Sequence, residues 1–248
     1  MTGDTSDDTR TEIRRADERF RTRTPWLDSR HSFSFGPHYD PANTHFGLLI
    51  VSNEDVVAAG TGFDTHPHRD MEIVTWVLAG ALVHAHSAGH TGVIHPGVAQ
   101  RMSAGSGILH SEKSDTARDV HFVQMWVVPD TEKITPSYAQ HDVGVALESG
   151  APLVVASGMP RHRQETAITI RQEHAALHAA RLAPGTAAAS PVAPRAHLFV
   201  ARGSVELEGA GVLGTGDAAR ITGADGQRMT AGPDGAEVLM WEMHATLG

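Results

Sequence analysis

Trp76-Val77-Leu78-Ala79-Gly80-Ala81-Leu82-Val83 decides the fold, because the chain writes it twice. Its counterpart is Phe199-Val200-Ala201-Arg202-Gly203-Ser204-Val205-Glu206. Each block reads as strand, Gly turn, strand. Each is followed by a second turn, His95-Pro96-Gly97 in one case and Thr215-Gly216-Asp217 in the other. Matched blocks about 120 residues apart point to duplication of one β-unit. The rest of the chain from Phe20 onward has the same texture. Short apolar runs such as Phe46–Val51, Ile73–Leu78 and Val120–Val128 are broken by Gly, Pro, Asn or Asp. This pattern predicts an all-β protein of sandwich or barrel type. The best helical candidate is short, Glu173 to Arg181, and Pro184 to Pro194 reads as a long loop. Residues 1–10 are acidic and polar and are expected to form a disordered tail. The first unit is placed at 11–143 and the second at 144–248, with the boundary in the stretch from Gln140 to Pro152.

Composition narrows the function. The chain has 248 residues, a formal net charge of −9, and no cysteine. Disulfides, thiolate metal sites and cysteine nucleophiles are therefore excluded. The acidic balance argues against direct nucleic-acid binding, which needs a basic face. No apolar run is long enough for a membrane helix, and the polar N-terminus does not read as a secretory signal. A cytoplasmic protein acting as a monomer is expected. Histidine is the anomaly, with 17 copies. In a thiol-free chain, a transition metal must be held by imidazole and carboxylate.

Two stretches offer that donor set. In the run Gly60 to Glu72, His66 and His68 stand two apart, so on a strand they share one face. In Gly105-Ser106-Gly107-Ile108-Leu109-His110-Ser111-Glu112 the same spacing recurs, ending in a carboxylate. Glu72, four residues after His68, is a rival ligand. A further pair, His84 and His86, follows the Gly80 turn but has no Glu-bearing partner segment and is set aside. Three imidazoles and one carboxylate suit one divalent transition metal, Fe(II), Mn, Co, Ni, Cu or Zn.

The spacing Gly60-x5-His66-x-His68-x3-Glu72 resembles the first motif of the cupin superfamily. A closer resemblance is to the pirin family of cupins. It rests on His66 to Glu72, Leu78-Ala79-Gly80, Pro96-Gly97, Met102 to Glu112, Gln124-Met125-Trp126-Val127 and Ile134 to Tyr138. Arg30 to Gly36 and Phe46-Gly47 are similar too. The chain departs from many relatives at His86 and His90, where Asp and Asn are usual. The resemblance implies a bicupin: two jelly-roll-like β-barrels packed side by side, with one metal in the first. It also implies His66, His68, His110 and Glu112 as the ligands, Fe(II) as the leading metal, and Glu72 outside the coordination shell. The second cupin is expected to be metal-free and to cover apolar surface of the first.

The resemblance further implies two functions. One is a dioxygenase that opens a flavonol-like aromatic such as quercetin with O2, with Glu112 as the proton acceptor. The alternative is a redox-sensing regulator that binds a protein partner. A sugar isomerase, another cupin activity, fits the motifs less well. An enclosed apolar cavity beside the metal would favour the enzyme; a shallow wet opening would favour the sensor.

Overall fold

The computed structural model describes residues 9–87 and 89–247. The expected tail falls mostly outside them, although Arg10 already belongs to a strand. In the first half, β1 (Arg10–Arg14), β2 (Phe20–Arg23), β3 (Leu27–His31) and β4 (Leu49–Val57) lead into β5 (Gly62–His68), β6 (Glu72–Ala79), β7 (Leu82–His86) and β8 (His90–Ile94). Then come β9 (Val98–Ser103), β10 (Ile108–Ser114), β11 (Val120–Val127) and β12 (Ser137–Asp142). After the one-turn helix α1 (Gly144–Leu147), the second half begins with β13 (Leu153–Ser157), β14 (Ile168–Thr169), β15 (Ala175–Leu182) and β16 (Ala187–Ala189). It ends with β17 (Val192–Leu207), β18 (Gly211–Gly214), β19 (Ala218–Asp225) and β20 (Arg228–Met243).

Three sheets result. A seven-stranded sheet runs β12-β9-β6-β11-β4-β3-β2, and a four-stranded sheet runs β5-β10-β7-β8. Together they form the first cupin. A sheet in the order β1-β19-β17-β20-β15-β13-β14, with β16 on β20 and β18 on β17, forms the second. The fold is an all-β bicupin, as the duplicated blocks predict. The two repeat glycines sit at equivalent corners. Gly80 has φ +74° and Gly203 has φ +69°, and a Cβ on either would collide with a neighbouring carbonyl oxygen, that of Asp119 or Gly235. Only glycine meets both demands.

The quoted run Ile73–Leu78 is continuously apolar because β6 is buried on both faces. Val74, Trp76 and Leu78 join one core with Phe33, Leu49 and Met125 and, from the second half, Leu177, Phe199, Leu239 and Trp241. Ile73 and Val77 point the other way, into the first cupin. The second cupin thus covers apolar surface of the first. Polar bonds cross the same seam. Trp76 Nε1 donates to Glu237 Oε1 at 2.7 Å. Arg19, its side chain 2% exposed, donates to Glu54 Oε2 at 2.8 Å and to the Gly216 carbonyl.

Two local expectations are corrected. Glu173–Arg181 is not helical: β15 is a central strand between β13 and β20, and its alanines are buried on both faces. Tertiary burial overrides the helical preference of an Ala-rich run. The supposed loop from Pro184 to Pro194 contains β16 and the start of β17. Residues 11–14 of β1 pair with β19.

Candidate metal centre

The four-stranded sheet builds the site. β10 lies between β5 and β7, with His110 opposite both His66 and His86, and Glu112 opposite His84. Three i, i+2 pairs therefore lie side by side: His66/His68, His110/Glu112 and His84/His86. A β-bulge between His110 and Glu112 breaks the register with β5 at this point, a common device for re-aiming a side chain. Gly62 allows the approach. Its φ is +155°, and a Cβ there would strike the Glu112 carbonyl.

The sequence-predicted residues fall into two overlapping groups. His66, His68 and His110 bring nitrogens within 4.8 Å of one another, and so do His84, His110 and Glu112 with their donor atoms. His110 is common to both. His84, set aside on sequence, is fully buried, with Nδ1 3.9 Å from Glu112 Oε1. That is an ion-pair distance and too long for a hydrogen bond. Glu72 belongs to neither group; its Oε2 accepts from Ser103 Oγ at 2.8 Å and from the Arg171 backbone at 3.0 Å.

The donor set fits a metal ion. His66 Nδ1 lies 2.7 Å from the Asp64 carbonyl, so it carries the proton and leaves the Nε2 lone pair free. That Nε2 is 3.0 Å from His110 Nε2. Two ligands at right angles on bonds of about 2.1 Å would stand about 3.0 Å apart. His68 Nε2 is buried without a hydrogen-bond partner. Burial lowers His68 to about 4, with His66 adding to the effect, and burial lowers His110 to about 3. Both rings are therefore neutral at pH 7, the state that binds metal. Burial alone would push the Glu112 carboxyl up, but His84, His110 and Gln124 outweigh it and hold it at about 2.

Sequence reading missed the support around Glu112. Gln124 Nε2 donates to both Glu112 oxygens at 2.9 Å, and Trp126 Nε1 donates to Gln124 Oε1 at 3.0 Å. The available signal was a glutamine inside the mostly apolar strand β11. A cavity of about 290 Å³ opens onto His66, His68 and Glu112 and is walled by Leu27, Phe35, Phe63 and Trp126. Asp55 also lines it. Burial raises this carboxyl to about 7; Ser29 draws it back and Glu112 pushes it further up.

Residues 13–127 match the family model described as Pirin, and residues 154–243 match that of the quercetinase C-terminal cupin domain. A Mycobacterium tuberculosis protein named "Putative quercetin 2,3-dioxygenase" is 58% identical over 96% of both chains. This chain belongs to the pirin family. Another relative, the quercetin 2,3-dioxygenase of Escherichia coli K12, is 46% identical over 52% of this chain and 56% of its own. Among solved pirins, the Escherichia coli protein YhhW in complex with nickel(II) superposes with a TM-score of 0.84. It shares 34% identity over 96% of this chain and 100% of its own. As a pirin-family bicupin, the chain carries a His/Glu cluster in its first cupin that could hold a divalent metal. No helix among the described residues is long and apolar enough to cross a membrane.

Proposed function

We propose that this pirin is a metal-dependent dioxygenase that opens a flavonol-like aromatic with O2. The observation that carries this reading is the 290 Å³ cavity with aromatic walls that opens onto the His/Glu cluster. It is near the lower end of ordinary small-molecule sites and has their mixture of apolar wall and few polar groups. A redox sensor acting through a protein partner has no use for such a chamber. The homologues named as quercetin dioxygenases support the same assignment.

In this reading His66, His68, His110 and Glu112 hold one divalent ion, with Fe(II) the leading choice. When bound, the metal acidifies the substrate hydroxyl and opens a route for electrons to O2. The chain's own residues do the rest. Glu112 is ionised at neutral pH and accepts the hydroxyl proton. Gln124 holds both carboxylate oxygens and so fixes where that proton goes. Trp126 and Phe35, in edge-to-face contact at 5.6 Å, cover the planar rings and exclude water. The second cupin, which we place at residues 144–248, supplies no ligand and acts as a buttress. The test is the aerobic bleaching of quercetin by metal-loaded protein. Glu112→Gln should lose turnover by about 10²–10⁴-fold beyond what its metal content explains. A fully metallated wild type that leaves a panel of flavonols untouched would overturn the assignment.

A further inference from the structure

The cavity has a second polar wall that the reaction above does not use. His66, His68 and Glu112 reach it from β5 and β10 of the four-stranded sheet. Asn53 and Asp55 reach it from β4, in the facing seven-stranded sheet. Two residues apart on one strand, they present their side chains to the same face. They are 4% and 5% exposed, yet Asn53 Oδ1 and Asp55 Oδ1 have no hydrogen-bond partner among the described residues. Structures rarely leave buried acceptors unpaired, and those that remain call for an explanation. Here both belong to residues that line the aromatic-walled cavity.

We propose that Asp55, with Asn53 beside it, is a second recognition point that accepts a hydrogen bond from a substrate hydroxyl other than the one engaged at the metal centre. This rests on the flavonol reading of the same cavity and deepens it. The chemistry defines the class. Two acceptor oxygens call for a donor, so a neutral phenolic hydroxyl fits. A carboxylate or sulfate substituent would bring negative charge toward the ionised Glu112 and is disfavoured. The apolar Leu27, Phe35 and Trp126 that also line the cavity require the body of the molecule to be flat and hydrophobic. The substrate is thus a planar aromatic that is hydroxylated at both ends. A site built to bond a hydroxyl discriminates strongly against the analogue that lacks it, because its own polar groups are then left unpaired.

The test compares quercetin, which carries further phenolic hydroxyls, with 3-hydroxyflavone, which has none. Binding to the nickel-loaded protein under argon is followed by quenching of tryptophan fluorescence, so that no turnover is needed. Wild type should bind quercetin about 10–100-fold more tightly. Asp55→Ala should shrink that preference to less than about threefold, whereas Asp55→Asn, which keeps an oxygen in place, should retain most of it. If the alanine variant does not fold, Asp55→Leu, close in size and apolar, replaces it. Equal affinity for the two flavonols in wild type, or a preference unchanged in the apolar variant, would overturn the inference. The same solutions opened to air separate it from the reaction. Preferential binding without bleaching sinks the dioxygenase and leaves the recognition point standing. Bleaching of both compounds with equal affinity does the reverse. Binding of neither sinks both.

Discussion

Replacing Gln124 with Met tests how the carboxylate is held. Methionine nearly matches glutamine in length and keeps the strand buried, but it cannot donate. The change removes both 2.9 Å contacts to Glu112 and leaves Trp126 Nε1 without its acceptor. Two consequences compete. Glu112 becomes a better base, and it becomes free to turn. The first has little effect at neutral pH. From a starting value of about 2, the carboxyl would have to rise by about five units before protons compete for it at pH 7. Loss of orientation therefore dominates. Removing a group that orients a ligand costs about 10–100-fold in metal affinity, or about 1.4–2.7 kcal/mol. The assay is competition for nickel(II) against a chelator of known affinity, with bound metal read by mass spectrometry at pH 6, 7 and 8. The expected loss is the same at all three. An affinity within threefold of wild type would refute the argument. A loss confined to pH 6 would show that protonation is the controlling effect.

Three further outcomes follow from the geometry. Gly62→Ala should separate β5 from β10 and abolish stoichiometric metal in a protein that still gives a β-type circular dichroism spectrum; full metal content would show that the close approach is dispensable. Arg19→Met leaves Glu54 buried beside His121 alone and should cost about 3–5 kcal/mol in urea denaturation; a loss under 1 kcal/mol would remove Arg19 from the seam. His197, buried next to Arg220, is lowered by burial to about 3, so the unfolded chain takes up a proton between about 6.5 and 3 that the folded one does not. Stability should therefore fall on acidification below about pH 6.5, by up to about 2 kcal/mol at pH 5 from this residue. His197→Leu should flatten that slope, and equal slopes in variant and wild type would refute the assignment.

How much the sequence told depended on how far apart the interacting residues lie. Same-face pairs such as His66/His68 and His110/Glu112 are local, and strand alternation makes them visible. The duplicated glycine corners are visible because each must satisfy a backbone that no other residue can. His84 was lost for the opposite reason. Its partner Glu112 is set by the register of β7 on β10, and nothing near His84 announces that pairing. Asp55, at the end of the polar run Ser52 to Asp55, and Gln124, in a mostly apolar strand, were present as polar residues, but their cavity arises only when two sheets face each other. The Ala-rich β15 misled because its small side chains serve tight packing between neighbours, a demand that propensity does not express.

Strand β1 has a consequence for the making of the molecule. Ile13 hydrogen-bonds in register with Ala219, so its partner is synthesised about two hundred residues later. At about 5–20 residues per second, the ribosome takes roughly 10–40 s to deliver it. Through that interval the emerging chain can fold its first cupin while this leading segment stays outside, an open strand awaiting its neighbour. That ladder can close only once residues 218–222 have been made, and it fastens one part of the polypeptide to another synthesised much later.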